Sequence, residues 1–543
     1  MRLLRFAFPL AHEQLIAGGQ AMATPLEAYK AELNFKKINA LISHYQENGW
    51  DTLTRHDTQA LKYVGIFARP KTPGYFMIRV RIPGGILKAS SLSAAQMHAL
   101  VDITRQFGRD ILDLTTRQQI QLRWIKAKDI PEVLTLLNRA GLTTYQTGFD
   151  NLRNITTCAA AGLDADEILD TRKIVEEINT EILGNWSVSN LPRKFNMTIS
   201  GCHCDCTHGE INDIALMPAE KEGAFGFNVL VGGALGAWGQ FRAVPLDAFV
   251  KPSEAKELCL TILRLYKEKG EREMRGRSRL KFLIEALGID TFRQDVAAHL
   301  SFPLPSAGTD LTKPERHHDH IGVHPQKTKG FFYIGLNVPA GRLTLDQANS
   351  LVHLAEKYGH GEIRLTTAQN ILLTDIPEEK LDALLAEPLL RELSPKPSPF
   401  LRGLTACAGN TFCAFARINT KKRALELTHY LDTKLETADL NKLGHMEIHA
   451  SGCSNSCANP WVGQIGLIGK KIKKDEGFIE GADICLGGEA GLKGNFARLW
   501  KSNIPFTEIG PLLVTLLQNF LHEKKEQESF RQWCLRSHTI SDE

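Results

Sequence analysis

The chain repeats itself at long range. Leu114-Thr-Thr-Arg-Gln-Gln-Ile-Gln-Leu122 returns as Leu365-Thr-Thr-Ala-Gln-Asn-Ile-Leu-Leu373, Leu152-Arg153 as Leu401-Arg402, and Ser200-Gly201-Cys202 as Ser451-Gly452-Cys453. Leu114 to Leu365 and Cys202 to Cys453 each span 251 positions, and Arg153 to Arg402 spans 249. A shared offset over separate segments marks a duplication, so the chain must form two similar bodies related by a pseudo-two-fold axis. The element order repeats as well. Apolar periodicity and turn residues predict a strand over 74–84, a helix over 93–107, strands over 111–115 and 120–124 and a helix over 130–140; the second set is a strand over 331–338, a helix over 344–358, strands over 362–366 and 370–374, and a helix over 377–386. Both halves read β-α-β-β-α. Helical patterns over 25–48 and 56–67 precede the first, and a polar His/Pro-rich joint near 306–329 separates the two.

The halves differ where chemistry would reside. Cys407 and Cys413 form a C-x5-C pair and Cys453 and Cys457 a C-x3-C pair, set among Gly409, Gly452 and Asn455. Two cysteine pairs can bring four soft thiolates to one centre, as iron–sulfur clusters require and zinc sites sometimes use. Glycine and asparagine tolerate the positive φ that aims backbone N–H groups at such a core. The competing reading is four buried packing cysteines, which does not call for paired spacing. In the first half Cys158, Cys202 and Cys206 match three of the four, but Asp164 stands where Cys413 does, and Cys204 is close in sequence to its neighbours. These residues read as a relic of the duplication. Conversely, Arg79 and Arg117 match Gly335 and Ala368. One half keeps cations and the other a full thiolate set, which fits a single cofactor held between them.

Composition bounds the class. A length of 543 residues implies three or more domains. A hydrophobic share of 43% with 23% charged residues is that of a globular protein, and no apolar tract is long enough to span a bilayer. A net charge of +4 argues against a nucleic-acid protein, although clustered positive charge would suit an acidic partner. Eleven cysteines, an odd number, point to a reducing compartment, and a cytoplasmic location is expected. His12, Glu13 and Gln14 interrupt the apolar start, so no leader is expected there and Met22 is an alternative first residue.

With these motifs in place, the sequence resembles the siroheme-containing assimilatory nitrite and sulfite reductases. The resemblance runs from about Met22 onward through Arg79 in Ile-Arg-Val-Arg-Ile-Pro-Gly-Gly, Thr116-Arg117-Gln118, Asn151-Leu-Arg-Asn154, Leu191-Pro-Arg-Lys-Phe-Asn196, Gly226-Phe-Asn-Val-Leu-Val-Gly-Gly233, Thr405-Ala-Cys407 and Gly452-Cys-Ser-Asn-Ser-Cys457. It implies an α+β, pseudo-two-fold fold: an N-terminal helical extension over 1–70, ferredoxin-like half-domains over 71–148 and 325–396, and two mixed α/β siroheme- and cluster-binding domains over 149–310 and 397–543. It further implies that Cys407, Cys413, Cys453 and Cys457 hold a [4Fe–4S] cluster, with Cys457 also bridging to siroheme. Arg79, Arg153, Lys194 and Asn196 would meet the substrate. Arg117, Gln121, Arg193, Lys281, Gln369 and Asn455 would meet the cofactor, a polycarboxylate that arginine's fork suits.

The implied activity is the six-electron reduction of nitrite to ammonium. Sulfite is the alternative substrate. The sulfite-type segment reads Pro-Arg-Lys-x-Lys and the nitrite-type Pro-Arg-Lys-x-Asn; this chain has Pro192-Arg193-Lys194-Phe195-Asn196. A monoanion needs less charge than a dianion and can use an amide donor, which favours nitrite. The run from Gly232 to Gly239 lacks the spacing and acidic partner of a dinucleotide loop, so electrons are expected from a separate protein, ferredoxin, docking on a monomer. A different class, an iron–sulfur relay or redox sensor without siroheme, would have no need of so many inward cations.

Overall fold

The computed structural model describes residues 24–87, 91–313, 319–475 and 477–541. The leader question and Met22 lie outside them, as does part of the interhalf joint. The first half-domain is an antiparallel sheet in the order Ile66–Ala68, Tyr75–Val80, Ile120–Lys126, Ile111–Leu114, Arg342–Thr344. The second follows the order Gly322–Pro325, Phe331–Leu336, Ile371–Pro377, Ile363–Leu365, Ile86–Leu87. The last strand of each sheet comes from the other half: Leu343 pairs with Leu112, and Leu87 with Ile363. Equivalent turns, Pro83–Gly85 and Pro339–Gly341, send these strands across.

Register confirms the alignment of the halves. Arg79 pairs with Gln121 and Gly335 with Leu372, so Arg79 and Gly335 are structural counterparts. At the centre sits a reciprocal clasp of two glutamines with left-handed backbone, Gln118 and Gln369. Gln118 donates to the Leu365 carbonyl at 2.8 Å and accepts from the Thr157 amide at 3.1 Å; Gln369 donates to the Leu114 carbonyl at 2.9 Å and accepts from the Ala406 amide at 3.0 Å. One hydrophobic core takes in both half-domains, with Leu112, Leu114, Ile334 and Ile371 all fully or almost fully buried. Burying each such side chain contributes about 1.5–3 kcal/mol, so the two sheets are a single cooperative unit.

Two larger domains flank it, each with its own core. Their sheets match: Leu152–Thr157, Phe195–Ile199 and Ile214–Lys221 run parallel before turning antiparallel, and Leu404–Ala406, Ile448–Ser451 and Ile465–Lys474 do the same. The parallel strands deliver their carboxyl ends, and the loops carrying Cys158, Cys202, Cys407 and Cys453, to the interface between halves.

The N-terminal region departs from expectation twice. The helix predicted over 25–48 is two, Pro25–Ala31 and Phe35–Asn48, because Asn34 is extended and its side chain caps the Lys37 amide at 2.9 Å. The helix predicted over 56–67 ends at Val64, where Gly65 takes φ 77° and turns the chain into strand Ile66–Ala68. A Cβ there would lie 2.5 Å from the Thr144 carbonyl oxygen, so only glycine fits. Among the described residues no helix is long and apolar enough to cross a membrane.

Candidate active site

Cys407 directly follows strand Leu404–Ala406, and its amide donates to the Ala450 carbonyl at 3.1 Å. Cys453 lies two residues beyond Ser451, the end of the neighbouring strand, and the intervening Gly452 amide points at Cys407 Sγ from 3.1 Å. A Cβ at Gly452 would sit 2.7 Å from Thr420 Oγ1, which leaves no room for a side chain in that turn. The four thiols are within electrostatic reach of one another. Burial pushes Cys457 up to about 11, Cys407 adds to the rise, Lys194 opposes it, and Cys413 and Cys453 raise it further. Burial likewise raises Cys453, with Cys413 and Cys407 contributing. The Cys457 thiol is open to water at its rim but packed round by protein on its other sides, the other three are partly open, and ionised together the four would repel one another, a cup that a cationic cluster would neutralise. The first half touches this cup directly: Thr116 Oγ1 donates to the Cys457 carbonyl at 3.1 Å.

Facing Cys457 is a concentration of cations. Burial holds the Arg79 guanidinium well below its ordinary value, Arg153, Arg69 and Arg123 press the same way, and Cys457 alone pulls back. Arg79 and Arg153 share the Thr147 carbonyl, at 3.0 and 3.2 Å, and Arg153 also donates to the Phe149 carbonyl at 2.8 Å. Burial and then Arg117 lower Arg153 to about 9. Burial, Arg279 and Arg117 push the Lys194 ammonium well below the usual lysine range. Arg117 donates to Asn196 Oδ1 at 2.9 Å, and Asp213 accepts both the Asn196 amide, at 2.8 Å, and the fork of Arg279, at 3.0 and 2.7 Å.

Several cations here escape a reading of motifs alone. Lys62, lowered to about 8 by burial and Arg69, and Arg69, lowered to about 10 by burial and Arg123, join from the turn before and the loop after strand Ile66–Ala68. Arg275 binds Asp150 through both nitrogens, at 2.8 and 3.0 Å. Arg275 and Arg279 belong to the run Arg275-Gly-Arg-Ser-Arg279 just before Lys281, a signal visible in the sequence. The partnered acids are few: Asp150 serves Lys30, Arg275 and Arg193, and Asp213 serves Arg279.

The other expected cofactor residues are placed as follows. Arg193 is 3.7 Å from Asp150. Asn455 offers its carbonyl to the Cys457 thiol at 4.0 Å. Gln121 is buried and accepts from Arg123. Lys281 pairs with Glu285 at 3.0 Å and lies over Phe241. Gln369 has its amide engaged in the clasp described above, leaving it a scaffold position. Arg81, one residue past strand Tyr75–Val80, is wholly buried and donates to Asn179 Oδ1 at 2.7 Å.

Arg69 Nε and Arg79 Nε are buried with no hydrogen-bond acceptor among the described residues. Burying unpaired guanidinium N–H groups is costly unless an anion completes them. A polycarboxylate fits this lining, and four soft thiolates opposite fit an iron–sulfur cluster.

Comparison with known proteins agrees with this geometry. The family described as "Nitrite/Sulfite reductase ferredoxin-like half domain" matches residues 68–140 and 324–390, and "Nitrite and sulphite reductase 4Fe-4S domain" matches residues 148–304. The chain is similar to a ferredoxin–nitrite reductase of Synechococcus elongatus, 41% identical over 498 residues that cover 90% of this chain and 95% of that one. An assimilatory ferredoxin-dependent nitrite reductase of Haloferax mediterranei is 35% identical, with 94% and 91% covered. The solved structure of the NirA protein of Mycobacterium tuberculosis superposes with a TM-score of 0.87 at 30% identity, covering 94% of this chain and 96% of that one.

Proposed function

Because this chain belongs to the nitrite and sulfite reductase family, we propose that it reduces nitrite to ammonium with six electrons delivered by ferredoxin, at siroheme coupled to a [4Fe–4S] cluster. The observation that carries this reading is the crowd of mutually repelling, partly unsatisfied cations around Arg79, Arg153 and Lys194, set against the Cys457 thiol. Cys407, Cys413, Cys453 and Cys457 would hold the cluster, with Cys457 shared with siroheme. Arg117, Arg193 and the newly identified Arg69, Arg275 and Arg279 would take the carboxylates. When bound, the cluster and siroheme would supply one-electron chemistry and a binding position for the anion.

The remaining work falls to the chain. Arg79 and Arg153, tethered through the Thr147 carbonyl, hold the oxygens of the anion. Lys194 Nζ is the acid: burial and the facing guanidiniums make its proton easier to release than that of an ordinary lysine. Asn196 keeps Arg117 aligned and contributes no charge. A redox relay without siroheme is disfavoured by the same cations; the absorption spectrum of the purified protein discriminates, a plain cluster spectrum excluding the tetrapyrrole.

Asn196→Lys tests the substrate. It would set an ammonium against Arg117 and Lys194, a repulsion that a dianion offsets better than a monoanion. The sulfite-to-nitrite ratio of kcat/KM is expected to rise on the order of tenfold, about 1.4 kcal/mol. An unchanged ratio removes the assignment of nitrite from this position. Ferredoxin as donor predicts that reduction by it slows as ionic strength rises, since an acidic partner is steered by positive surface charge. A rate indifferent to salt counts against electrostatic docking. All eleven cysteines are unpaired, which supports action in a reducing compartment such as the cytoplasm.

A further inference from the structure

The first-half cysteines are not scattered by divergence. Cys202 Sγ lies 3.3 Å from Cys204 Sγ, and Cys158 Sγ lies 3.3 Å from His320 Nε2. The ligand atoms of Cys158, Cys206 and His320 are all within 4.8 Å of one another, as are those of Cys202, Cys204 and Cys206. Cys206 belongs to both groups, and Cys204 is set beside the Cys158–Cys206–His320 triad through it. Three of these residues and the histidine are almost wholly buried, at 2% exposure for Cys158, 4% for Cys202, 6% for Cys204 and 2% for His320. Cys204, close in sequence to its neighbours, lies against the shared Cys206.

We propose that Cys158, Cys204, Cys206 and His320 bind one zinc ion, a structural site separate from the iron centres. Tetrahedral zinc with Zn–S near 2.3 Å and Zn–N near 2.0–2.1 Å sets its donor atoms about 3.5–3.8 Å apart, inside the 4.8 Å spread of Cys158, Cys206 and His320, and a rotation of the Cys204 side chain, already within that spread of Cys206, would bring in the fourth donor. A cubane cluster needs its thiolates held apart across an inorganic core. This group is too tight for that, and Asp164 stands in the position of the fourth thiolate. Cys202 is the remaining thiol; it donates to the Cys204 carbonyl at 2.9 Å and touches Ser200 Oγ at 3.5 Å, which keeps its proton in use. On binding, each of the three coordinating thiols gives up its proton to solvent.

The surroundings have the features of a built site. His320 Nδ1 is 3.2 Å from the Tyr333 hydroxyl, an outer contact that orients the ring and leaves Nε2 toward the sulfurs. Thr367 Oγ1 donates to the Cys206 carbonyl at 2.6 Å, the counterpart of Thr116 Oγ1 on the Cys457 carbonyl. The Cys202–Cys206 loop is also tied to the joint between halves: His203 Nδ1 lies 2.7 Å from the Leu311 carbonyl, and the Lys313 amide donates to the His203 carbonyl at 2.9 Å. The ion would therefore link the first large domain to the segment that leads into the second half.

Metal analysis of the purified holoprotein tests this without reference to nitrite turnover. Close to one zinc per chain is expected beside the iron, and absorption at the zinc edge should give three sulfur neighbours and one nitrogen. His320→Ala and Cys206→Ala should lose the zinc while keeping the iron and its spectrum. If either variant fails to fold, the zinc stoichiometry and edge spectrum of the unaltered protein still decide. Zinc far below one equivalent, zinc with oxygen and nitrogen neighbours only, or iron in this position overturns the assignment.

Discussion

Cys457→Ser is expected to yield a folded protein that has lost its tetrapyrrole absorption and turns over nitrite at least about a hundredfold more slowly, at least about 2.7 kcal/mol in barrier. The side chain is small and accessible, and its replacement creates no cavity, so stability should change little. What changes is the donor. A serine hydroxyl is hard and neutral at this site, whereas soft iron–sulfur centres select thiolate. Lys194 and Arg79 both interact electrostatically with Cys457, so losing the thiolate it would become on holding the cluster would also leave the cation group further from balance. Full tetrapyrrole content with undiminished turnover in this variant would refute the proposed shared thiolate.

The second large effect is on stability. Asp113 is buried between the halves and accepts Arg123 Nε at 2.8 Å and the fork of Arg342 at 2.8 and 3.1 Å, with Lys421 Nζ at 3.7 Å. Burial alone would raise its carboxyl, but Lys421, Arg123 and Arg342 outweigh that and hold it well below the ordinary value. Asp113→Ala leaves three cations without their anion and is expected to cost about 3–5 kcal/mol, measurable as a lowered denaturant midpoint. The pH dependence has a definite sign. A carboxyl lower in the folded than in the unfolded state stabilises fully above its unfolded value and progressively less below it, so the wild type should lose this contribution on acidification and the variant should not. Arg123 and Arg342 also stack on Phe412, next to Cys413, so iron content should fall together with stability. A variant as stable as wild type would show that the triad is compensated elsewhere.

Legibility followed locality. The duplication and the cysteine pairs are short motifs at fixed spacings, Arg79, Arg153 and Lys194 stand in short motifs of their own, and the structure sets Arg79 and Lys194 within electrostatic reach of Cys457. The Gln118–Gln369 clasp was half visible: Gln369 stands in a recognisable motif, but only the fold shows its amide spent on Leu114 and Ala406. Arg69 and Arg123 sit in a loop and a strand whose sequence says nothing of burial, so their convergence depends on tertiary packing. The grouping of the first-half cysteines with His320 was not legible for the same reason. Spacing argued against Cys204, while His320 arrives from a segment more than a hundred residues away.

The crossed edge strands also bear on how the chain is made. Residues 66–126 cannot complete their sheet until 342–344 have been synthesised. At about 5–20 residues per second the nascent first half waits on the order of ten to fifty seconds with an open strand edge. During that interval it is a target for chaperones and for mispairing with a second nascent copy.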